Sequence, residues 1–193
     1  MLEILNQIDT TVFLFLNDLN SPFMDHVMFY ISDRFTWIPF YVFLAYLIFR
    51  SYKLKGIWIF LLAIVTITLS DQISDAMKDN LMRYRPCHEP ALEGMVHIVR
   101  NHCGGLYGFV SSHAANSFAL ATFIILTIGK RFKYLIPVML TFASLKAYSR
   151  VYLGVHYPGD IIFGAILGIL IGSAVIWFWN QITKRYPRLK SDE

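Results

Sequence analysis

The chain has 193 residues, 56% of them hydrophobic and only 16% charged, with a formal net charge of +4. A water-soluble domain carries about 25% charged residues, so the composition excludes an ordinary soluble globule. The surplus of base does not point to nucleic acid either. Lys and Arg fall in short clusters between apolar blocks, with no basic stripe interleaved with exposed aromatics.

Residues 1–20 place Leu2, Ile4, Leu5, Ile8, Val12, Phe13 and Leu16 at helical spacing, with Glu3, Asp9 and Asp18 elsewhere. That pattern predicts an amphipathic helix lying in the membrane interface; a sixth span is the alternative. No Lys or Arg precedes Arg34, which argues against a cleavable signal peptide, since such a peptide opens with a basic region. Five apolar blocks follow, each near the roughly 20 residues needed to cross a bilayer. The first covers 24–49, interrupted by Asp33-Arg34. The second, from Gly56, is apolar to Leu69 and continues through Asp71, Asp75 and Lys78. The third covers 112–129, the fourth 134–150, and the fifth opens on Pro158 and runs to about 179. In the last, Gly164, Gly168 and Gly172 recur every four residues, a small-residue face suited to close helix packing. A polar segment, 81–111, separates the second and third blocks.

The expected fold is therefore an all-α transmembrane bundle of five to six spans, forming a single domain over 1–193. Its orientation follows from charge. Arg50, Lys53 and Lys55 lie between the first two spans, and Lys130, Arg131 and Lys133 between the third and fourth. Lys184, Arg185, Arg188 and Lys190 follow the fifth. Five spans put all three clusters on one side, which the positive-inside rule makes cytoplasmic. The 81–111 loop and the 151–157 turn then lie outside. Cys87 and Cys103 share that outer loop, where an oxidising compartment permits a disulfide between them.

The ionisable residues at the outer span ends are the candidate chemistry, because charge there is costly and usually functional. Lys78, Arg83 and Arg85 follow the second span, Ser111, Ser112 and His113 open the third, Arg150 ends the fourth, and His156 and Asp160 flank the start of the fifth. Several cations without a carboxylate cluster suit an anion with several oxygens, and the arginine fork matches phosphate. The free amides at the start of the third span add an anion site. Two histidines supply a nucleophile and an acid, and an aspartate beside one of them can hold its tautomer. The set reads as phosphoryl transfer through a phosphohistidine. Lys146 either lines this pocket or pairs with Asp71 or Asp75; those two aspartates share a face with Lys78 and are expected to hold it. Arg83 reads as a headgroup or structural contact. His88, His97 and His102 have irregular spacings that do not suggest zinc.

Three stretches resemble the type 2 phosphatidic acid phosphatase superfamily. Lys78 through Arg85-Pro86 is similar to its K-x6-R-P element, and Ser149-Arg150 through His156 and Asp160 to its S-R-x5-H-x3-D element. Val110-Ser111-Ser112-His113 stands where the family has P-S-G-H. The departures are Val110 for proline and Ser112 for glycine; the added Cβ at Ser112 requires a backbone conformation open to any residue. The resemblance implies that His156 attacks phosphorus with Asp160 orienting it, and that His113 protonates the leaving oxygen. It further implies that Lys78, Arg85, Ser111, Ser112 and Arg150 hold the phosphate, without metal or cofactor. The substrate it suggests is a lipid phosphate or diphosphate, undecaprenyl diphosphate first, with phosphatidylglycerophosphate, phosphatidic acid and lipid A phosphate groups as competitors. A phosphotransferase using the same site is a further alternative. The expected setting is the bacterial inner membrane, with the site facing the periplasm or outside.

Overall fold

A computed structural model describes residues 2–186 of the chain; Arg188 and Lys190, the last members of the third basic cluster, lie outside them. The described residues form helices α1 (Leu2–Asp18), α2 (Pro22–Ser32), α3 (Ile38–Tyr52), α4 (Gly56–Leu81), α5 (Ser112–Ile128), α6 (Leu135–Tyr152) and α7 (Pro158–Arg185). Among them no strand occurs beyond an isolated bridge between Tyr84 and Tyr107.

Helix α1 presents Ile4, Leu5, Ile8, Val12 and Phe15 outward. Its inner face carries a buried Phe13 and a buried Asn17. The Asn17 amide donates to the carbonyls of Tyr152 at 2.8 Å and His97 at 3.1 Å, and its Oδ1 accepts from His97 N at 2.8 Å. One side chain thus satisfies backbone groups at the end of α6 and in the 82–111 loop, where orphaned groups would be costly. Leu92, Val151 and Tyr157 pack around Phe13 and fasten α1 to the same end of the bundle.

The 24–49 block is not one helix, contrary to expectation. It divides into α2 and α3 because Asp33 leaves the helical region at φ −66°, ψ 137°. Its carboxylate caps the next segment, accepting from Thr36 N at 3.0 Å and Thr36 Oγ1 at 3.2 Å. Trp37 Nε1 donates back to the Ile31 carbonyl at 2.8 Å, and Pro39 enters the first turn of α3, where its missing N–H costs nothing. At about 16 Å, an eleven-residue helix such as α2 is too short to cross a bilayer.

The remaining blocks become α4 to α7 close to their expected limits. The stretches Phe35–Leu81 and Pro158–Arg185 each contain an 18-residue window of high mean hydropathy, 1.8 and 2.5. Their outer faces expose Val42, Trp58, Leu61, Ile166, Leu170 and Trp177, a continuous apolar exterior that suits lipid and not water. Inside, Leu47, Ile59, Phe123, Ile124, Met139 and Phe142 belong to one core drawn from α3 to α6, with Ile176 from α7.

The closest contact in the bundle is between α5 and α7. A Cβ on Gly164 would lie 2.7 Å from the Ser111 carbonyl, and one on Gly172 2.7 Å from the Ala119 carbonyl; one on Gly168 would overlap the Ala115 carbonyl. The four-residue glycine repeat therefore faces Ala114, Ala115 and Ala119, and the two backbones meet with almost no side chain between them. At the far end of the bundle, Tyr52 Oη donates to the Thr127 carbonyl at 2.9 Å and Arg131 Nη1 to the Ser51 carbonyl at 3.3 Å. The turns after α3 and α5, with their basic clusters, thus sit together. The C-termini of α4 and α6 and the N-termini of α5 and α7 gather at the opposite end.

Gly168→Ala checks the close approach. Alanine in a helix interior normally stabilises by about 1 kcal/mol relative to glycine. Here overpacking reverses the sign, and a loss of about 1–3 kcal/mol is expected as a lower thermal midpoint in detergent.

Candidate active site

The turn between α6 and α7 explains the spacing of the third motif. Gly154 adopts φ +78°, and a Cβ there would lie 2.6 Å from the His97 carbonyl, so only glycine fits. The chain then folds back: Val155 N and His156 N both donate to the Arg150 carbonyl, at 3.1 and 3.2 Å. The five residues between Arg150 and His156 are this reversal. Pro158 opens α7, and Asp160 in its first turn accepts from Tyr157 N at 3.0 Å and from His156 Nδ1 at 3.2 Å. The three residues between histidine and aspartate are the extended N-cap Tyr157 and the first two residues of α7, the spacing of a helix cap in which Asp160 reaches back over the helix start.

His156 and Asp160 are 1% and 0% exposed. Burial, followed by the cations of Arg85 and Arg150, pushes the His156 pKa well below the ordinary imidazole value, and the Gly108 backbone offsets this only in part. The ring is therefore neutral at physiological pH. With Nδ1–H donated to Asp160, the lone pair sits on Nε2, the state a nucleophile requires. Gly108 lies flat against this pair: a Cβ there would be 3.1 Å from Asp160 Oδ2 and 3.3 Å from His156 Nδ1.

His113 stands in the first turn of α5, one residue past the Ser112 that begins the helix. Ser111 N donates to the Asp160 carbonyl at 3.1 Å, joining the starts of α5 and α7 directly. Arg150, Lys146 and Arg85 and the His156 ring all lie close enough to act electrostatically on His113. Lys78 Nζ bonds Asp75 Oδ1 at 2.6 Å and also Ser112 Oγ. Arg85 is held by carbonyls: Nε donates to Tyr107 at 3.1 Å and Nη1 to Cys103 at 3.3 Å. Arg150 Nη1 donates to Ser32 Oγ. Its Nε, like Ser111 Oγ, is buried with no partner among the described residues. The structure thus brings Lys78, Arg85, Ser111, Ser112, His113, Arg150, His156 and Asp160 to one end of the bundle.

Arg83, read from sequence as a headgroup or structural contact, takes the structural role here, and several residues around it were not singled out from sequence. Arg83 Nη1 donates to Asp160 Oδ1 at 2.8 Å, and Arg83 Nη2 to Asp9 Oδ2 at 2.8 Å; the guanidinium stacks on Tyr157 at 4.2 Å. Asp9 Oδ1 also accepts from Gly159 N at 2.7 Å, satisfying a free amide at the start of α7. Asp9 on α1 and Arg83 thus hold Asp160 from behind while it holds His156. The only sequence signal was Asp9 itself, an acid in an otherwise apolar pattern. Ser32, Gly108 and Asn17 carried none. The aspartates of α4 divide: Asp75 pairs with Lys78 as expected, whereas Asp71 accepts from Asn116 Nδ2 at 2.9 Å. Lys146 pairs with neither and lines a cavity against His113.

Cys87 and Cys103 form a disulfide with Cα atoms 6.0 Å apart, closing the loop whose Cys103 and Tyr107 carbonyls hold Arg85. His88 lies within ligand range of both sulfurs, but the bond between them leaves no thiolate for a metal.

Two outcomes follow from these supports. Asp9→Ala frees Arg83 and orphans the Gly159 amide, which is expected to cost about 1–3 kcal/mol. Turnover should fall about tenfold. In turnover the Asp9→Ala/Arg83→Leu double variant should be no worse than Arg83→Leu alone, since both act on Asp160, while its thermal midpoint should fall further because the Gly159 amide is orphaned; steady-state phosphate release and thermal midpoints check the two parts. Reduction, or Cys87→Ser with Cys103→Ser, is expected to lower stability by about 3 kcal/mol for a loop of this length, read as the unfolding midpoint with and without reductant.

The model of the PAP2 superfamily matches residues 56–184. The chain is 37% identical to a lipid A 4'-phosphatase of Bacteroides thetaiotaomicron, over all of this chain and 84% of that one. It is 31% identical to a lipid A 4'-phosphatase of Porphyromonas gingivalis, over 90% of this chain and 74% of that one. Its fold is similar to the crystal structure of a transmembrane PAP2-type phosphatidylglycerolphosphate phosphatase from Bacillus subtilis. The TM-score is 0.73 and the identity 21%, over 93% of this chain and 88% of that one. The histidine and cation pattern, the buried His156–Asp160 pair and these similarities agree: the chain belongs to the PAP2 superfamily and is one of its membrane phosphatases.

Proposed function

We propose that this protein removes phosphate from a lipid A-type phosphomonoester at the outer face of a bacterial inner membrane, with His156 as nucleophile. The observation that carries the reading is the pair of orphaned buried polar atoms, Arg150 Nε and Ser111 Oγ, beside a neutral, aspartate-held imidazole. Buried donors of this kind are costly unless a ligand satisfies them. Phosphate has the charge and the oxygens to do so, and Lys78, Arg85 and the α5 amides would share the remaining oxygens.

In the first step, His156 Nε2 bonds to phosphorus as the P–O bond to the lipid breaks, and the leaving oxygen takes its proton from His113. In the second, His113 accepts a proton from water as that water attacks phosphorus. The P–N bond breaks, and free phosphate departs with His156 restored. Asp160, held by Arg83, stabilises the cationic phosphohistidine between the steps. Two histidines and a set of fixed cations suffice for this route.

The lipid A reading follows the names and coverage of the two relatives above, and it displaces undecaprenyl diphosphate, which the outward orientation and the family resemblance put first, to second place. The five spans would be α3 to α7, with α1 and α2 lying along the outer face; the basic turns after α3 and α5 would then be cytoplasmic.

A phosphate-release panel in detergent micelles tests the proposal. Lipid A carrying a 4'-phosphate should be the best substrate, ahead of undecaprenyl diphosphate, phosphatidylglycerophosphate and phosphatidic acid. Preference for any of the last three would overturn the substrate assignment. His156→Ala should reduce turnover of every substrate by roughly 10³–10⁶-fold, and retained turnover would sink the nucleophile assignment.

A further inference from the structure

His113 separates two cavities. One, of about 470 Å³, opens at the outer end among Ser32, Arg34, Arg100, His102 and Arg150. The other, of about 460 Å³, lies deeper, between α3, α4, α5 and α6. Its floor is apolar, from Tyr41, Ile67, Leu120 and Phe142, whereas its upper wall carries Asp71, Gln72, Asn116 and Lys146. A polar wall at this depth is unusual, because polar groups inside a membrane are retained only where something satisfies them.

Two of these side chains are incompletely satisfied. Lys146 is 5% exposed and has no hydrogen bond or ion pair among the described residues; its nearest aromatic partner is the Phe142 ring at 5.8 Å. Asn116 gives its Nδ2 to Asp71, but its Oδ1 is buried with no partner among the described residues. Both line the same cavity as the histidine that would protonate the leaving oxygen. In-line transfer places that oxygen on the side of phosphorus away from His156, so the alcohol must extend from His113 into one of the two cavities. The outer cavity is rimmed by Arg34, Arg100 and His102, a route suited to water and released phosphate. Phe29, Val99 and Leu153 give the outer one an apolar side as well, and Arg34 reaches both, but the deeper one holds Lys146 and Asn116, unsatisfied side chains that the phosphate itself does not claim.

We propose that the cavity formed by Asp71, Asn116 and Lys146 beneath His113 is the leaving-alcohol subsite, and that it selects a hydroxyl- and carbonyl-bearing glycosyl alcohol over a prenyl alcohol. A sugar hydroxyl or amide N–H satisfies Asn116 Oδ1, and an oxygen acceptor near the sugar satisfies the Lys146 ammonium. The acyl chains continue over Ile67, Leu120 and Phe142. A prenyl chain in the same place offers neither donor nor acceptor and leaves both groups unpaired, the form of discrimination that hydrogen-bonding sites achieve best. This inference rests on the lipid A reading and supplies it with a physical cause.

The test measures kcat/KM for lipid A 4'-phosphate and for undecaprenyl phosphate on the same purified full-length preparations, and takes their ratio. The ratio is independent of the fraction of folded enzyme. Lys146→Met and Asn116→Leu are each expected to lower it by about tenfold or more, through loss on the glycosyl substrate. A variant without turnover of either substrate is replaced by Lys146→Gln, read in the same way. If the wild type prefers the glycosyl substrate but the ratio is unmoved in the variants, the subsite is wrong and the substrate reading stands. A wild type that prefers undecaprenyl phosphate overturns both.

Discussion

The near absence of side chains between α5 and α7 is the constraint on which the rest depends. Gly164, Gly168 and Gly172 let α7 rest on the carbonyls of Ser111, Ala115 and Ala119. In a bilayer no hydrophobic effect drives helices together, so close backbone packing takes over that role. The contact also does more than hold the bundle. It sets the distance between the start of α5, which carries His113, and the start of α7, which carries Asp160 and is preceded by His156. The hydrogen bond from Ser111 N to the Asp160 carbonyl closes the same seam at the end that carries the two histidines. A larger residue at Gly164, Gly168 or Gly172 would therefore push against the α5 backbone that positions His113.

Asp160 is where packing becomes chemistry. Its two oxygens meet four groups: Arg83 on Oδ1, and His156, the Tyr157 amide and the flat face of Gly108 on or against Oδ2. The partners come from two segments, the loop that carries Arg83 and Gly108 and the turn that carries His156 and Tyr157, and they grip both oxygens, so the carboxylate has little freedom to rotate. Asp9 extends this support to α1, linking the first helix to the last through Arg83 and Gly159. Helix α1 is thereby part of the site's scaffold, although it contributes nothing that would touch a phosphate. The Asn17 amide does the same for the turn that presents His156, since it binds both the Tyr152 carbonyl and the loop at His97.

How much of this could be read in advance depended on range. The residues expected to meet phosphate were legible because each motif is a local geometric object: the five-residue gap is a chain reversal and the three-residue gap a helix cap. The glycine repeat was legible for the same reason. Asp9 with Arg83, 74 positions apart, and Asn17 with Tyr152, 135 apart, were not, because nothing local distinguishes an acid or amide that faces inward. The split between α2 and α3 was half legible. Asp33, Thr36 and Pro39 are helix-ending and helix-starting residues, but the apolar content on either side matched a full span and concealed them. Lys146 was undecided between an ion pair and the pocket, since its spacing permits both; only the packing of Asp75 on Lys78 and of Asp71 on Asn116 leaves it to the cavity.

The balance of charge explains why so much scaffold surrounds so few reacting atoms. Lys78, Arg85 and Arg150 converge on His156 from three elements, and the carboxylates among them are few: Asp75, shared with Lys78, and Asp160, already bound to Arg83. Like charges gathered in partly buried space repel, and the bare site opposes its own folding. The carbonyls of Cys103 and Tyr107 on Arg85, and Ser32 on Arg150, are dipoles that hold these two cations without neutralising them, whereas Lys78 takes both Ser112 and the Asp75 carboxylate. That distinction matters for function. A carboxylate in any of those positions would make a stronger pair and would abolish the excess positive charge that attracts a phosphate dianion. Neutral partners keep the charge available to substrate, and the rigidity needed to keep it in place is supplied from outside the site, by the disulfide, by α1 and by the glycine seam.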